Sequence, residues 1–335
     1  MLTRAGLILL AAGLAAAQHW EPQNSGTTAS FRGLCAVNKN VVWASGTAGT
    51  YLTTNDGGVH WKAATVPGAE KLDFRDVQAF DARTAYLLSI GPGDSSRIYK
   101  TSDAGAHWTL QLKNPDATGF FDEMAFWSPA HGVLVGDPVG GQFVLMTTTN
   151  SGATWTPQTL PSALEGEGAF AASGTGITVR GKSDIWFGTG GKGGARVFHS
   201  RDGGANWTVS PTPIRNDSAS AGIFSIAFSD AQHGIAVGGD YGKPKEAIGN
   251  IALTFDGGET WVEPKGTRPS GFRSAVAYIA SLKAWIATGT SGSDISTDGG
   301  QNWKQFDAGD YNAISFLPSA EGWAAGPHGR LARWR

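Results

Sequence analysis

Six octapeptides decide how this chain is read. They are Thr54-Asn-Asp-Gly-Gly-Val-His-Trp61, Thr101-Ser-Asp-Ala-Gly-Ala-His-Trp108, Thr148-Thr-Asn-Ser-Gly-Ala-Thr-Trp155, Ser200-Arg-Asp-Gly-Gly-Ala-Asn-Trp207, Thr254-Phe-Asp-Gly-Gly-Glu-Thr-Trp261 and Ser296-Thr-Asp-Gly-Gly-Gln-Asn-Trp303. All fit S/T-x-D-x-G-x-x-W, with Asn150 standing for Asp in the third, and successive tryptophans lie 47, 47, 52, 54 and 42 residues apart. The pattern has the chemistry of a hairpin. Asp56, Asp103, Asn150, Asp202, Asp256 and Asp298 accept backbone N–H bonds inside a turn. Gly57, Gly105, Gly152, Gly204, Gly258 and Gly300 supply positive φ. Trp61, Trp108, Trp155, Trp207, Trp261 and Trp303 enter the next strand as wedges between sheets. One carboxylate per turn is too few oxygens for calcium, so the boxes are structural.

The same grammar recurs around each box. A first strand opens on an aromatic (Phe31-Arg-Gly-Leu, Phe74-Arg-Asp-Val, Phe121-Asp-Glu-Met, Phe272-Arg-Ser-Ala), and a second ends in glycine (Val42-Trp-Ala-Ser-Gly, Gly132-Val-Leu-Val-Gly, Ala284-Trp-Ile-Ala-Thr-Gly). The third runs into the box and the fourth leaves from its tryptophan. The octapeptide resembles the Asp box of the bacterial neuraminidase (BNR) repeat, and four short antiparallel strands per unit of about 45 residues make a propeller blade. After Trp303 come only three more strands, while His19-Trp20-Glu-Pro-Gln looks like a post-box strand. The expectation is an all-β, seven-bladed propeller over residues 18–335, closed by its N-terminal strand completing the last blade, which removes both open edges.

Composition agrees: 48 Gly and 13 Trp among 335 residues argue against a helical bundle, and 41% hydrophobic with 16% charged residues argues against disorder. A formal charge of −2 and the lack of a basic run give no case for nucleic acid or for an anionic membrane surface. Arg4, the apolar Leu7–Leu14 and Ala15-Ala16-Ala17 read as a signal peptide over residues 1–17, too short to span a bilayer. The expectation is export to the periplasm or beyond, peripheral to a membrane at most, as a monomer. Cys35 reads as a small core thiol, the seven His are scattered, and neither a metal nor a cofactor is expected.

In a propeller the first strand of each blade lines the channel, and its start faces one mouth. Those starts read Arg32, Arg75, Asp122 with Glu123, Glu165 with Glu167, Ser220, Arg273 and Asn312. Loops after the second strands add Asp137, Asp240 and Tyr241, and a glycine-rich stretch carries Lys192 and Arg196. Convergent guanidinium and carboxylate groups suit a polar or anionic ligand. Two resemblances bear on this ring. Sialidases share the Asp box, and that likeness implies an arginine triad at Arg32, Arg75 and Arg273, with Tyr241, Glu167 and Asp122 as partners. The sialidase Arg-Ile-Pro is replaced here by Phe31-Arg-Gly-Leu. Over nearly the whole chain after residue 17, Phe74-Arg-Asp-Val, Glu321-Gly-Trp-Ala-Ala-Gly and the boxes resemble the photosystem II stability/assembly factor family. That resemblance implies a non-catalytic chaperone with an arginine patch. The Gly-Asp-Pro loop at Asp137, the Gly-Gly-Asp-Tyr loop at Asp240 and the long fourth and fifth blades depart from that family's compact pattern, so the expectation is a non-photosynthetic bacterial-type member without the photosystem partner. The reading is an exported binding or assembly propeller using Arg32, Arg75, Asp122, Glu167, Asp137, Asp240, Tyr241 and Arg273. Its partner is expected to be an envelope or membrane-protein complex, or a polar small molecule or glycan. The alternative is a glycoside hydrolase, sialidase-like or polysaccharide-active, using Asp122, Glu123 or Glu167 as acid or base.

Overall fold

The computed structural model describes residues 18–335; the signal peptide expected over 1–17 lies outside them. Seven antiparallel sheets, one per blade, make up the described residues. The inner strands are Phe31–Ala36, Asp73–Ala79, Phe121–Ser128, Ile177–Arg180, Ala221–Phe228, Ala275–Ile279 and Ala313–Phe316 for blades one to seven. Blade seven takes its outermost strand from the N-terminus, as expected. Trp20–Asn24 pairs antiparallel with Arg330–Trp334, Trp20 opposite Trp334, and His19 and Arg335 exchange backbone bonds of 3.0 and 3.1 Å. A ring shut this way leaves no free sheet edge at the seam.

The core consists of slabs between blades. Trp43 and Tyr51 of blade one meet Phe74 and Leu87 of blade two, Tyr86 and Leu88 meet Phe121 and Phe126, and Phe143 and Leu145 meet Phe187 and Phe198. Equivalent clusters fill the four remaining junctions, including Phe31 and Leu52 against Trp323 across the seam. Each sheet buries both faces, which is why the strands read as near-continuous apolar runs.

The six boxes share one hydrogen-bond scheme, which explains their spelling. The opening hydroxyl accepts the amide of the fifth residue, at 2.8–3.0 Å from Gly58, Gly105, Gly152, Gly204, Gly258 and Gly300. The third residue's Oδ1 accepts the amide of the seventh at 2.8–3.0 Å. Hydrogen bonds from the seventh residue, amide first for Asp56 and Asp103 and side chain first for Asp202, hold those carboxyls down at about 2. Two consecutive positions, the fourth and fifth, have positive φ in every box. Ala104 and Ser151 therefore occupy, at φ 64°, a conformation that glycine fills in the other boxes.

Blade four departs from the expected reading. Its inner strand is Ile177–Arg180, so Glu165 and Glu167 precede the blade instead of opening it. They belong to an insertion whose short strand Glu167–Gly168 pairs with Gly190–Gly191, which continues the sheet of blade five. Blade five in turn keeps only a single bridge, Leu253 to Val262, in place of a fourth strand.

Candidate functional site

The rest of that insertion, Ala169 to Gly176, crosses the central channel as a plug. It touches blade after blade. Arg32 of blade one donates through Nη1 to the Ala172 carbonyl (3.4 Å), and Arg75 of blade two donates through Nη1 to the Ala171 carbonyl (3.1 Å). From blade three, Asp137 Oδ1 accepts the Ala169 amide (2.9 Å), and Glu123 Oε2 accepts the Ile177 amide (2.6 Å). Thr175 and Ser225 of blade five share a hydroxyl bond of 2.7 Å, and the Ser173 hydroxyl donates to the Ser274 carbonyl of blade six (2.8 Å). Small residues make this passage possible: a Cβ on Gly174 or Gly176 would collide with the carboxylates of Asp76 and Glu123.

The plug divides the channel. On the side of the inner-strand starts it floors a cavity of about 920 Å³ lined by Arg32, Arg75, Asp122, Asp137, Glu167 and Tyr241, among others. On the opposite face, Gly174 and Thr175 floor a smaller cavity of about 520 Å³ with Met124, Phe126 and Phe228 in its walls.

The larger mouth has two unlike sides. On one, Arg32 and Arg75 are held by plug carbonyls, and Arg75 Nε also pairs with Asp73 (2.8 Å). Burial, together with the charge of Arg75, works against the protonated form of Arg32 and lowers its pKa. Two guanidiniums brought together this way, each with N–H groups to spare, favour an incoming anion. Asp122 lies beneath them, buried, with Oδ2 unpartnered, and burial followed by the Asp137 charge pushes its carboxyl far above the usual range. Burial also raises Asp137. On the other side, Phe170 of the plug stacks on Phe224 (centroids 4.0 Å, 11°), and Phe272 meets Phe224 edge-on at 4.7 Å.

Comparison with known proteins agrees with this architecture. A BNR/Asp-box repeat model matches residues 294–305, the third strand and box of blade six. The chain is 25% identical to the photosystem II assembly lipoprotein Ycf48 of Synechococcus sp. (strain CC9902), covering 77% of this chain and 84% of that one. Among solved structures it is similar to YCF48 bound to D1 peptide, with a TM-score of 0.68 at 18% identity over 94% of this chain and 96% of that one. It is also similar to YCF48 from Cyanidioschyzon merolae, with a TM-score of 0.64 at 20% identity over 96% and 99%. Its seven-bladed architecture with Asp-box turns is similar to that of these Ycf48 structures.

Not every candidate of the sequence reading faces this propeller's mouth. Arg273 is fully buried. It reaches Asp294 through Nε (2.6 Å), Ser270 Oγ (2.6 Å), Ser291 Oγ (2.9 Å) and the Phe272 carbonyl (2.6 Å). Asp240 is also buried. Burial pushes its carboxyl up, but Ser220, Ser218 and the Gly242 amide outweigh that and hold it below the ordinary range. Its neighbour Tyr241 is 53% exposed on the rim. Glu167 is closed in on itself: Arg196 through Nε (2.9 Å) and Nη2, Thr189 Oγ1 (2.5 Å) and the Leu164 amide (2.8 Å) all reach its two oxygens. Glu123 lies under the plug, 2% exposed, and burial, then Asp76 and Asp122, raise its carboxyl far above normal. Among the described residues no group of three or more His, Cys, Asp or Glu is placed to hold a metal, and no helix is long and apolar enough to cross a membrane.

Sequence reasoning missed the plug, Phe170 and Arg196's role. The signal available was the 52-residue step from Trp155 to Trp207, whose surplus contains the small-residue run Ala169-Phe-Ala-Ala-Ser-Gly-Thr-Gly176.

Proposed function

We propose that this chain is an exported, non-catalytic binding propeller, with residues 1–17 as its leader and residues 18–335 as the working part. It docks a segment of a protein from an envelope or membrane complex in the plugged mouth. The observation that carries this reading is the pair of guanidiniums, Arg32 and Arg75, aligned on plug carbonyls at the rim of a cavity of about 920 Å³. Fixed guanidiniums lose little freedom on meeting a carboxylate, so an acidic segment gains affinity from their preorganisation. The likeness to a propeller solved with a bound peptide supports a protein ligand.

Hydrolysis draws no support from the geometry. A glycosidase needs two carboxyl groups facing one pocket, one of them free to ionise and attack or to activate water. Here Glu167 is saturated by its own donors and Glu123 is closed off beneath the plug. Asp122 and Asp137 border the cavity, but burial raises both carboxyls and Asp137 Oδ1 is taken by the Ala169 amide, so neither is the readily ionised partner. The test is site-specific photocrosslinking in the native envelope. A benzophenone side chain at exposed Thr118 or Thr290, both on the cavity wall, is expected to capture a partner that the Arg32→Ala/Arg75→Ala variant does not. Capture unchanged in that variant would refute docking at the mouth.

A further inference from the structure

The aromatic side of the mouth joins the plug to blades five and six and also lines the cavity. Its four rings come from the plug (Phe170) and from blades five and six (Phe224, Tyr241, Phe272). Phe224 and Phe272 are buried, whereas Tyr241 stands edge-on to Phe170, Phe224 and Phe272 at 6.3, 6.0 and 6.5 Å and is half exposed. Gly190 and Gly222 give Phe170 its seat, since a Cβ at either would collide with the ring. A half-exposed tyrosine over a wall of phenylalanines is an apolar recess with one wet edge, the usual form of an anchor pocket.

The plug itself measures how far this recess lies from the arginines. Phe170 contributes its ring to the recess, the next residue's carbonyl binds Arg75, and the one after that binds Arg32. Two residues of chain reach at most about 7 Å. A segment lying along the plug as Phe170–Ala172 does would carry its apolar and acidic side chains on adjacent residues or one residue apart. The cavity also runs from Thr118 and Pro138 of blade three to Thr290 of blade six, so a chain can cross the mouth rather than end in it.

Building on the docking reading above, we infer that the recess formed by Phe170, Phe224, Tyr241 and Phe272 is a specificity pocket. It takes a large apolar side chain of an internal peptide segment whose neighbouring Asp or Glu is held by Arg32 and Arg75. The acidic group supplies attraction that many segments offer. The apolar anchor, shut away from water against aromatic rings, selects among them.

The test pans randomised heptapeptides, flanked on both sides by Gly-Ser spacers, against the whole propeller and against Tyr241→Ala, Arg75→Ala and Arg32→Ala/Arg75→Ala. Tyr241 is exposed enough to truncate without opening the core. Wild type is expected to enrich Phe, Trp, Leu or Met beside, or one residue from, Asp or Glu. In the strongest peptide, resynthesised, Ala at the apolar position weakens binding tenfold or more to wild type, and by less than threefold to Tyr241→Ala. An equal loss on both proteins places the apolar side chain elsewhere and overturns the pocket while docking stands. Enrichment that survives in Arg32→Ala/Arg75→Ala overturns the docking reading instead. No enrichment on wild type overturns both.

Discussion

Asp76 offers a test of the plug that needs no ligand. It is 4% exposed on the inner strand of blade two, its Oδ2 accepts the Met124 amide at 2.8 Å, and its Oδ1 lies against Gly174 of the plug. Burial pushes its carboxyl up to about 7, against hydrogen bonds from Met124 and Val77 that pull the other way. The titratable groups around it are Glu123, whose own carboxyl it helps to raise, and Cys35. Because the folded value is raised, the stabilisation of the neutral form is complete below about pH 4, the unfolded value. It is lost as the pH climbs from there through about 7. A shift of about 3 pH units at about 1.4 kcal/mol each amounts to some 4 kcal/mol over that window. Asp76→Asn keeps an acceptor for Met124 and cannot ionise. The variant should exceed wild type by about 1 kcal/mol near pH 4.5 and by about 4 kcal/mol at pH 8. Urea unfolding followed by tryptophan fluorescence from pH 4.5 to 8 measures the gap, and amide exchange over residues 169–177 locates it. A gap that stays constant across that range, or a variant weaker than wild type at pH 8, would refute the assignment.

Two further outcomes are expected. Arg196→Ala strands the buried Glu167 carboxylate with only Thr189 and Leu164, and should lower stability by about 3–5 kcal/mol, read by thermal unfolding. Adding Glu167→Gln should recover part of that loss. Ala104→Gly relieves a left-handed alanine in the second box and should raise stability by about 1 kcal/mol in the same assay, whereas Gly203→Ala, at the same position in the fourth box, should lower it by a similar amount.

The propeller was legible because its determinants are local and repeated. Each box writes its own turn, with a hydroxyl at one end and an Asp or Asn two residues later making the same two bonds six times. Ring closure was legible because Trp20 resembles the tryptophans that follow the boxes, and it does pair with the last strand. The channel contents were not legible. The small-residue run Ala169–Gly176 signals an insertion but not where it goes, since its partners are single groups on five other blades, Arg32, Arg75, Glu123, Ser225 and Ser274 among them. Those contacts are specified by the closed ring and not by neighbours in sequence. Glu167 misled for a related reason. A carboxylate just before a blade looks like a channel residue until Arg196, 29 positions on, folds back onto it.

The three Phe-Arg positions show what separates an arginine at the mouth from one held inside its own blade. Arg32, Arg75 and Arg273 follow Phe31, Phe74 and Phe272 in the same place of the repeat, yet only the first two line the mouth. Counting back two residues from the opening of each box gives Leu52 in blade one, Tyr99 in blade two and Asp294 in blade six. Only blade six sets an acid there, and Asp294, with Ser270 and Ser291, draws Arg273 into its own sheet. Leu52 and Tyr99 offer no carboxylate, so Arg32 and Arg75 extend inward until they meet the plug. Arg32 rests on an amide carbonyl, and Arg75 on another and on the partly exposed Asp73, so both leave N–H groups for an incoming acid, whereas Arg273 is committed to a fully buried carboxylate. The placement of Arg32 and Arg75 at the mouth is thus set by two conditions outside the Phe-Arg motif: no acid on the third strand of the same blade, and an insertion from blade four that supplies carbonyls at the channel centre.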